Sequence, residues 1–144
     1  MSDLTIVINL FVAFILGGII GWLREKQGKS AGLRTHILVA VGSALFMQVS
    51  AEMVLVSGMA DPGRIAAGIV TGIGFIGAGA IVQARGAVRG ITTASSIWVV
   101  AAIGIASGSG FYVGAITATI IAWLTLDLLQ KAEKKIIKTK DSGE

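Results

Sequence analysis

Residues 4–23 read LTIVINLFVAFILGGIIGWL, an unbroken run without a charged side chain. A bilayer's hydrocarbon core is about 30 Å thick and takes roughly 20 helical residues to cross, so this run suffices for one pass. It must pass as a helix, because lipid offers no partners to unpaired backbone groups. Asp3 precedes it where a secretory signal would carry basic residues, and the run is too long for a signal's apolar core. It reads as a retained span.

Composition extends that reading to the whole chain. Of 144 residues, 54% are hydrophobic and 14% charged, with a mean hydropathy of +0.84. Soluble domains carry about a quarter charged residues, and a small soluble fold needs that polar surface. Four further segments approach span length: residues 37–56, 65–84, 91–107 and 111–129, the fourth span being the shortest. The sequence therefore predicts an all-α, polytopic transmembrane helix bundle of about five spans. Residues 1–129 form the membrane domain, and residues 130–144 form a basic tail suited to anionic lipid. No internal repeat is evident.

The connections sort by charge. Arg24, Lys26, Lys29, Arg34, Arg85, Arg89, Lys131, Lys134, Lys135, Lys138 and Lys140 fall on one side of such a bundle, and only Arg64 on the other. The positive-inside rule then puts the N-terminus out and the C-terminus in. This distribution also explains the net charge of +4 without nucleic acid, since the basic residues sit at the ends of apolar segments. The chain has no Cys and one His, which excludes disulfides, thiolate metal sites and His-rich cages.

Local signals agree. Asp61-Pro62 is an N-cap followed by Pro at the first helical position. Thr35, and Thr92 or Thr93, are candidate caps for spans two and four. Residues 107–110, Ser-Gly-Ser-Gly, make a tight connection before span five.

The chain has 20 Gly, many of them inside spans, where small residues let helices approach closely. Gly17 and Gly21, Gly68 and Gly72, and Gly104 and Gly108 form three GxxxG pairs, which serve packing within the chain or contact between copies. In span three Gly72, Gly74, Gly77 and Gly79 fall on several helix faces. That suits tight packing all round, or a locally broken helix that exposes carbonyls to an ion. The same glycines match the dinucleotide-binding spacing, but no strand precedes them and no acidic residue follows about 20 positions later.

Polar residues gather at two levels. Glu52, one turn after Gln48, lies near the outer interface with Asp61 and Arg64, and a Glu52–Arg64 ion pair is expected there, with an outer ion vestibule as the alternative. At the inner level stand Arg24, Glu25, Arg34, Thr35, His36, Arg85, Arg89, Thr92, Thr93 and Asp127. Three readings of this cluster stay open. It is a network of ion pairs and lipid-headgroup contacts; or an anion site, where the positive starts of spans two and four meet Arg34 and Arg89; or a cation site at Glu25 and Asp127, with oxygen ligands of the kind Mg²⁺ prefers. The excess of arginine disfavours the third, and the metal is left open. No charged side chain sits at a midplane, where proton relays and charged pores place one. No nucleophile–base pair is apparent, and His36 reads as an interfacial hydrogen-bonding residue.

Four stretches carry a family resemblance: GGIIGWLRE at 17–25, GLRTH at 32–36, DPGRIA at 61–66 running into TGIGFIGAG at 71–79, and RGITTA at 89–94 with Trp98. In this order and spacing they resemble the membrane domain of the MgtC/SapB family. The resemblance implies a multi-pass protein of the bacterial inner membrane, linked to growth at low Mg²⁺ and to survival of pathogens inside cells. It implies action on other membrane machines, the ATP synthase among them, and a label as a magnesium-transport accessory protein. Well-studied members carry a soluble C-terminal domain, and a chain stopping at Glu144 is expected to be a short member without it. The expected function is a non-enzymatic regulator or assistant of another membrane complex, with no cofactor and with the bilayer, a membrane complex or further copies as partners. The alternative is a small oligomeric transporter or channel for Mg²⁺ or a related ion.

Overall fold

The computed structural model describes residues 2–57, 61–84 and 87–132. They form five helices: α1 (Asp3–Lys26), α2 (Leu33–Ser57), α3 (Pro62–Gly79), α4 (Ile91–Gly108) and α5 (Tyr112–Leu124). A one-turn π-helix, Thr125–Leu129, continues α5, and the joined span Tyr112–Ala132 is long and apolar enough to cross a membrane, as are α1, α2 and α4. The third helix is apolar too, but its stretch Gly63–Gly79 is slightly shorter than these four spans. The basic tail lies mostly outside the described residues.

Contacts between distant residues fix the path of the chain. Thr93 and Ser96 of α4 meet Arg24 and His36, so α4 starts at the end of the bundle where α1 stops and α2 begins. The chain between the far end of α2 and Ile91 therefore returns across the bundle. α3 makes that return, its Gly77 lying beside Ala94 at the start of α4. Its 18 residues span about 27 Å at 1.5 Å each.

The sequence carried span three to Ala84, and the structure ends it at Gly79. Ala80 closes the helix, and Val82–Ala84 pairs antiparallel with Ala87–Arg89 as a short hairpin, β1 and β2. This hairpin is the exception to the all-α expectation. Gly90 joins β2 to α4 at φ +93°, and a side chain there would collide with the Ala80 carbonyl. Only glycine meets both conditions without strain.

Two of the expected caps are replaced. Asp61 does cap α3, its carboxylate accepting from the Gly63 N–H at 2.8 Å. Thr35, however, is the third residue of α2, which starts at Leu33, and the Leu33 N–H donates to Glu25 Oε2 at 2.7 Å. Gly32 makes room for that carboxylate, since a β-carbon there would lie 2.6 Å from it. α4 starts at Gly90 with no side-chain cap, so neither Thr92 nor Thr93 serves as one.

The core is built around α2. A β-carbon on Gly17 would lie 2.6 Å from that of Ala40, and one on Gly21 would lie 2.8 Å from the Leu33 Cα. On the other side of α2, Gly104 and Gly108 sit against the carbonyls of Ala40 and Ala44. Small residues thus bring three backbones together, the close approach that substitutes for hydrophobic driving force in lipid. Ala13, Ile20, Val100, Ile103 and Ala115 fill the remaining core. Large apolar side chains such as Phe11, Leu38, Phe75 and Ile120 point outward, as suits a chain whose solvent is hydrocarbon.

Candidate functional site

At the basic end of the bundle, the structure buries a cation. The stripe Ala13, Leu16/Gly17, Ile20/Gly21 and Arg24 is the face that α1 turns inward, and Arg24 is only 2% exposed. Its Nη2 donates to Thr93 Oγ1 at 3.0 Å and its Nη1 to Gln27 Oε1 at 2.9 Å. Gln27 Nε2 donates in turn to the Leu126 carbonyl in the π-turn at 3.0 Å. Arg24 Nε has no partner, and no carboxylate of the described residues pairs with the guanidinium.

His36 adjoins this network from α2 and is fully buried. Its Nδ1 stands 2.8 Å from the Gly32 carbonyl and therefore carries a proton, and its Nε2 stands 3.1 Å from Ser96 Oγ. Ser96 Oγ also donates to the Thr93 carbonyl at 2.8 Å, so its one hydrogen serves one acceptor at a time. His36 thus links α2 to α4 inside the bundle as a hydrogen-bonding residue.

The structure splits the cluster drawn from sequence. Arg24, His36 and Thr93 come together, joined by Gln27 and Ser96. Glu25 stands apart as the cap of α2, and Asp127 pairs with Lys131 at 2.7 Å. Arg34, on α2, and Arg89, on β2, are exposed, and Thr35 is half-buried. Arg85 lies outside the described residues. Thr92 rims a cleft of about 390 Å³ between α4 and α5, with Ser95, Ser96 and Thr125 beside it and Ile20 and Leu126 at its floor. Gln27 was missed by sequence reading, although it lies one turn after Arg24.

At the opposite end Glu52 and Arg64 are both exposed. Arg64 lines an apolar groove of about 750 Å³ between α2 and α3. Gly68 and Gly72 line it with Gly42, and a side chain on any of the three would meet nothing within 4 Å. Gly74 and Gly79 are equally open, and only Gly77 of this helix packs inward. Among the described residues, the tight packing expected of span three is therefore absent at four of its five named glycines.

A second polar knot was not expected. Asn9 is 1% exposed, donates to the Gly108 carbonyl at 3.1 Å and accepts from the Tyr112 hydroxyl, which ties α1 to the α4–α5 turn. Nearby Gln48 donates to the Ile6 carbonyl at 3.2 Å, and its Oε1 is buried without a partner. Among the described residues no three His, Asp or Glu side chains form a metal-binding group.

Fold and polar knots together define a multi-pass membrane protein built on a glycine-packed helix bundle. The sequence profile of the MgtC family matches residues 10–135. The chain is 46% identical over 130 residues to the putative magnesium transporter YhiD of Escherichia coli strain K12, covering 87% of this chain and 60% of that one. It is 42% identical over 138 residues to the protein MgtC of Salmonella typhimurium strain LT2, covering 96% and 58%. With the protein MgtC of Brucella abortus strain 2308 the identity is 49% over 108 residues, covering 75% and 44%. No solved structure matches. The chain belongs to the MgtC family, and it spans three-fifths or less of the length of these relatives.

Proposed function

We propose that this chain is a non-enzymatic protein of the bacterial inner membrane that regulates or assists another membrane complex under magnesium limitation. Its N-terminus faces out and its basic end lies at the cytosolic boundary. It acts by receiving a transmembrane helix of its partner in the groove between α2 and α3.

The observation that carries this reading is the open glycine face of that groove. Glycines in a membrane helix lower its stability unless something approaches closely. Gly17, Gly21, Gly104 and Gly108 have such neighbours, whereas Gly42, Gly68 and Gly72 have none among the described residues. A second helix seated there gains backbone contact that lipid tails do not supply as well. The test is photo-crosslinking from a probe placed at Ile69 in native membranes, with Gly72→Leu as the filled-groove control. The reading predicts one crosslinked membrane protein that disappears in the control, and no ion flux by the purified chain in liposomes. Flux by the purified chain alone, with no crosslink, overturns it.

The name of the Escherichia coli relative favours a second reading, a small oligomeric Mg²⁺ transporter. The acidic residues available at the basic end weigh against it. Glu25 is engaged by a helix N-terminus and Asp127 by Lys131. On this reading Glu25→Gln and Asp127→Asn abolish flux.

A further inference from the structure

We propose that the basic end of the bundle is a binding site for an anionic phosphate group, held by Arg24 and Thr93 at the first turn of α4. Arg24 is the starting point. A buried cation is costly unless an opposite charge offsets it, yet both bonded nitrogens of this guanidinium face neutral oxygens and Nε faces none. The guanidinium is aimed at the start of an 18-residue helix whose first N–H groups have no side-chain cap. A helix start and an arginine fork both favour the same ligand, an oxyanion with several acceptor oxygens. Gln27 Oε1 holds the place on Nη1 that such an oxygen would take. Gln27 is only partly buried, and besides Arg24 its side chain is held by the Leu126 carbonyl, so it can swing aside.

The cleft between α4 and α5 says where the rest of the ligand would lie. Its floor holds Ile20, one turn before Arg24 on the same face of α1, and Leu126, whose carbonyl anchors Gln27. Its walls are apolar (Val99, Ala118, Ala122), with the hydroxyls of Thr92, Ser95 and Thr125 beside them. An acyl chain fits the walls; the Ser95 and Thr125 hydroxyls already donate to the Ile91 and Ile121 carbonyls, so a phosphodiester would take the Thr92 hydroxyl beside Arg24, the arrangement by which basic pockets between helices hold anionic headgroups. Free inorganic phosphate offers the same oxyanion without the chain.

Thermal unfolding of the full chain in a neutral detergent separates these sources. Added phosphatidylglycerol, phosphatidylcholine and inorganic phosphate are compared. A rise in midpoint with phosphatidylglycerol and not phosphatidylcholine supports the lipid; a rise with phosphate alone supports the free anion. Ala118→Trp, which fills the cleft, removes the lipid response and leaves the phosphate response. Arg24→Gln weakens the apparent affinity about tenfold or more, the scale of a lost charge-assisted hydrogen bond. Should that variant fail to fold, Arg24→Lys and Thr93→Val carry the test. Exposed Arg34→Gln and Arg89→Gln leave the response in place. Equal midpoints with the two lipids and silence with phosphate overturn the site. So does an equal loss in Arg34→Gln, which would make the effect one of surface charge.

Discussion

The carbonyl of Ala40 occupies the space into which a β-carbon on Gly104 would project, so α2 and α4 cross backbone against backbone. The same Ala40 meets Gly17 on its other side. Gly104→Ala and Gly17→Ala should each lower stability by about 1–3 kcal/mol through overpacking, although alanine is the better helix former. Gly68→Ala and Gly72→Ala, with nothing within 4 Å, should be neutral or slightly stabilising. Thermal unfolding in detergent ranks the four. Equal loss in both pairs would mean that the α3 glycines are packed within the monomer.

This contrast marks what the sequence could disclose. Three identical GxxxG spacings were legible, but only the pairs on α1 and α4 pack directly against α2, and spacing carries no information about which face meets a neighbour. The start of α3 was legible because Asp61-Pro62 has a local mechanism. Its end was not: Ile81-Val82 continues the apolar run, and hydropathy reads a strand and a helix alike. Arg24 looked interfacial because it closes an apolar segment. Its helical spacing from Gly17 and Ile20 was the available sign that it turns inward.

The Asn9 knot offers a second test. Tyr112→Phe leaves Asn9 Oδ1 buried without its donor and should cost about 1 kcal/mol, in the range of interhelical hydrogen bonds in membranes. Asn9→Ala should cost more, since it also frees the Gly108 carbonyl and leaves a void. A double-mutant cycle between the two positions should return a non-zero coupling energy. Strict additivity would show that the hydroxyl does not bond Asn9 in the folded protein.

Glu25 separates structural from transport chemistry. Its carboxylate accepts from the Leu33 N–H at the positive start of α2. Glu25→Ala should therefore lower stability by about 0.5–2 kcal/mol, the range for losing a helix cap. Glu25→Gln keeps an acceptor oxygen and should recover most of that. Partner crosslinking at the α2–α3 groove, which Glu25 does not line, should survive both changes. Loss of crosslinking in a Glu25→Gln protein of unaltered stability would put this carboxylate in the functional contact instead.

The absence of cysteine makes orientation directly measurable, because each introduced thiol is unique. Ser109 lies in the turn between α4 and α5, at the end of the bundle opposite Arg24, and is exposed; Lys29, between α1 and α2, is exposed at the basic end. The chain returns across the bundle through α3, so these two sites belong on opposite faces of the membrane. Ser109→Cys should react with a membrane-impermeant maleimide in intact cells, and Lys29→Cys only after permeabilisation, as the clustering of basic residues requires. Labelling of both from outside would mean that one of the three helices between them, α2, α3 or α4, does not cross. Labelling of Lys29→Cys alone would invert the bundle and move Arg24 and its phosphate site to the periplasmic leaflet.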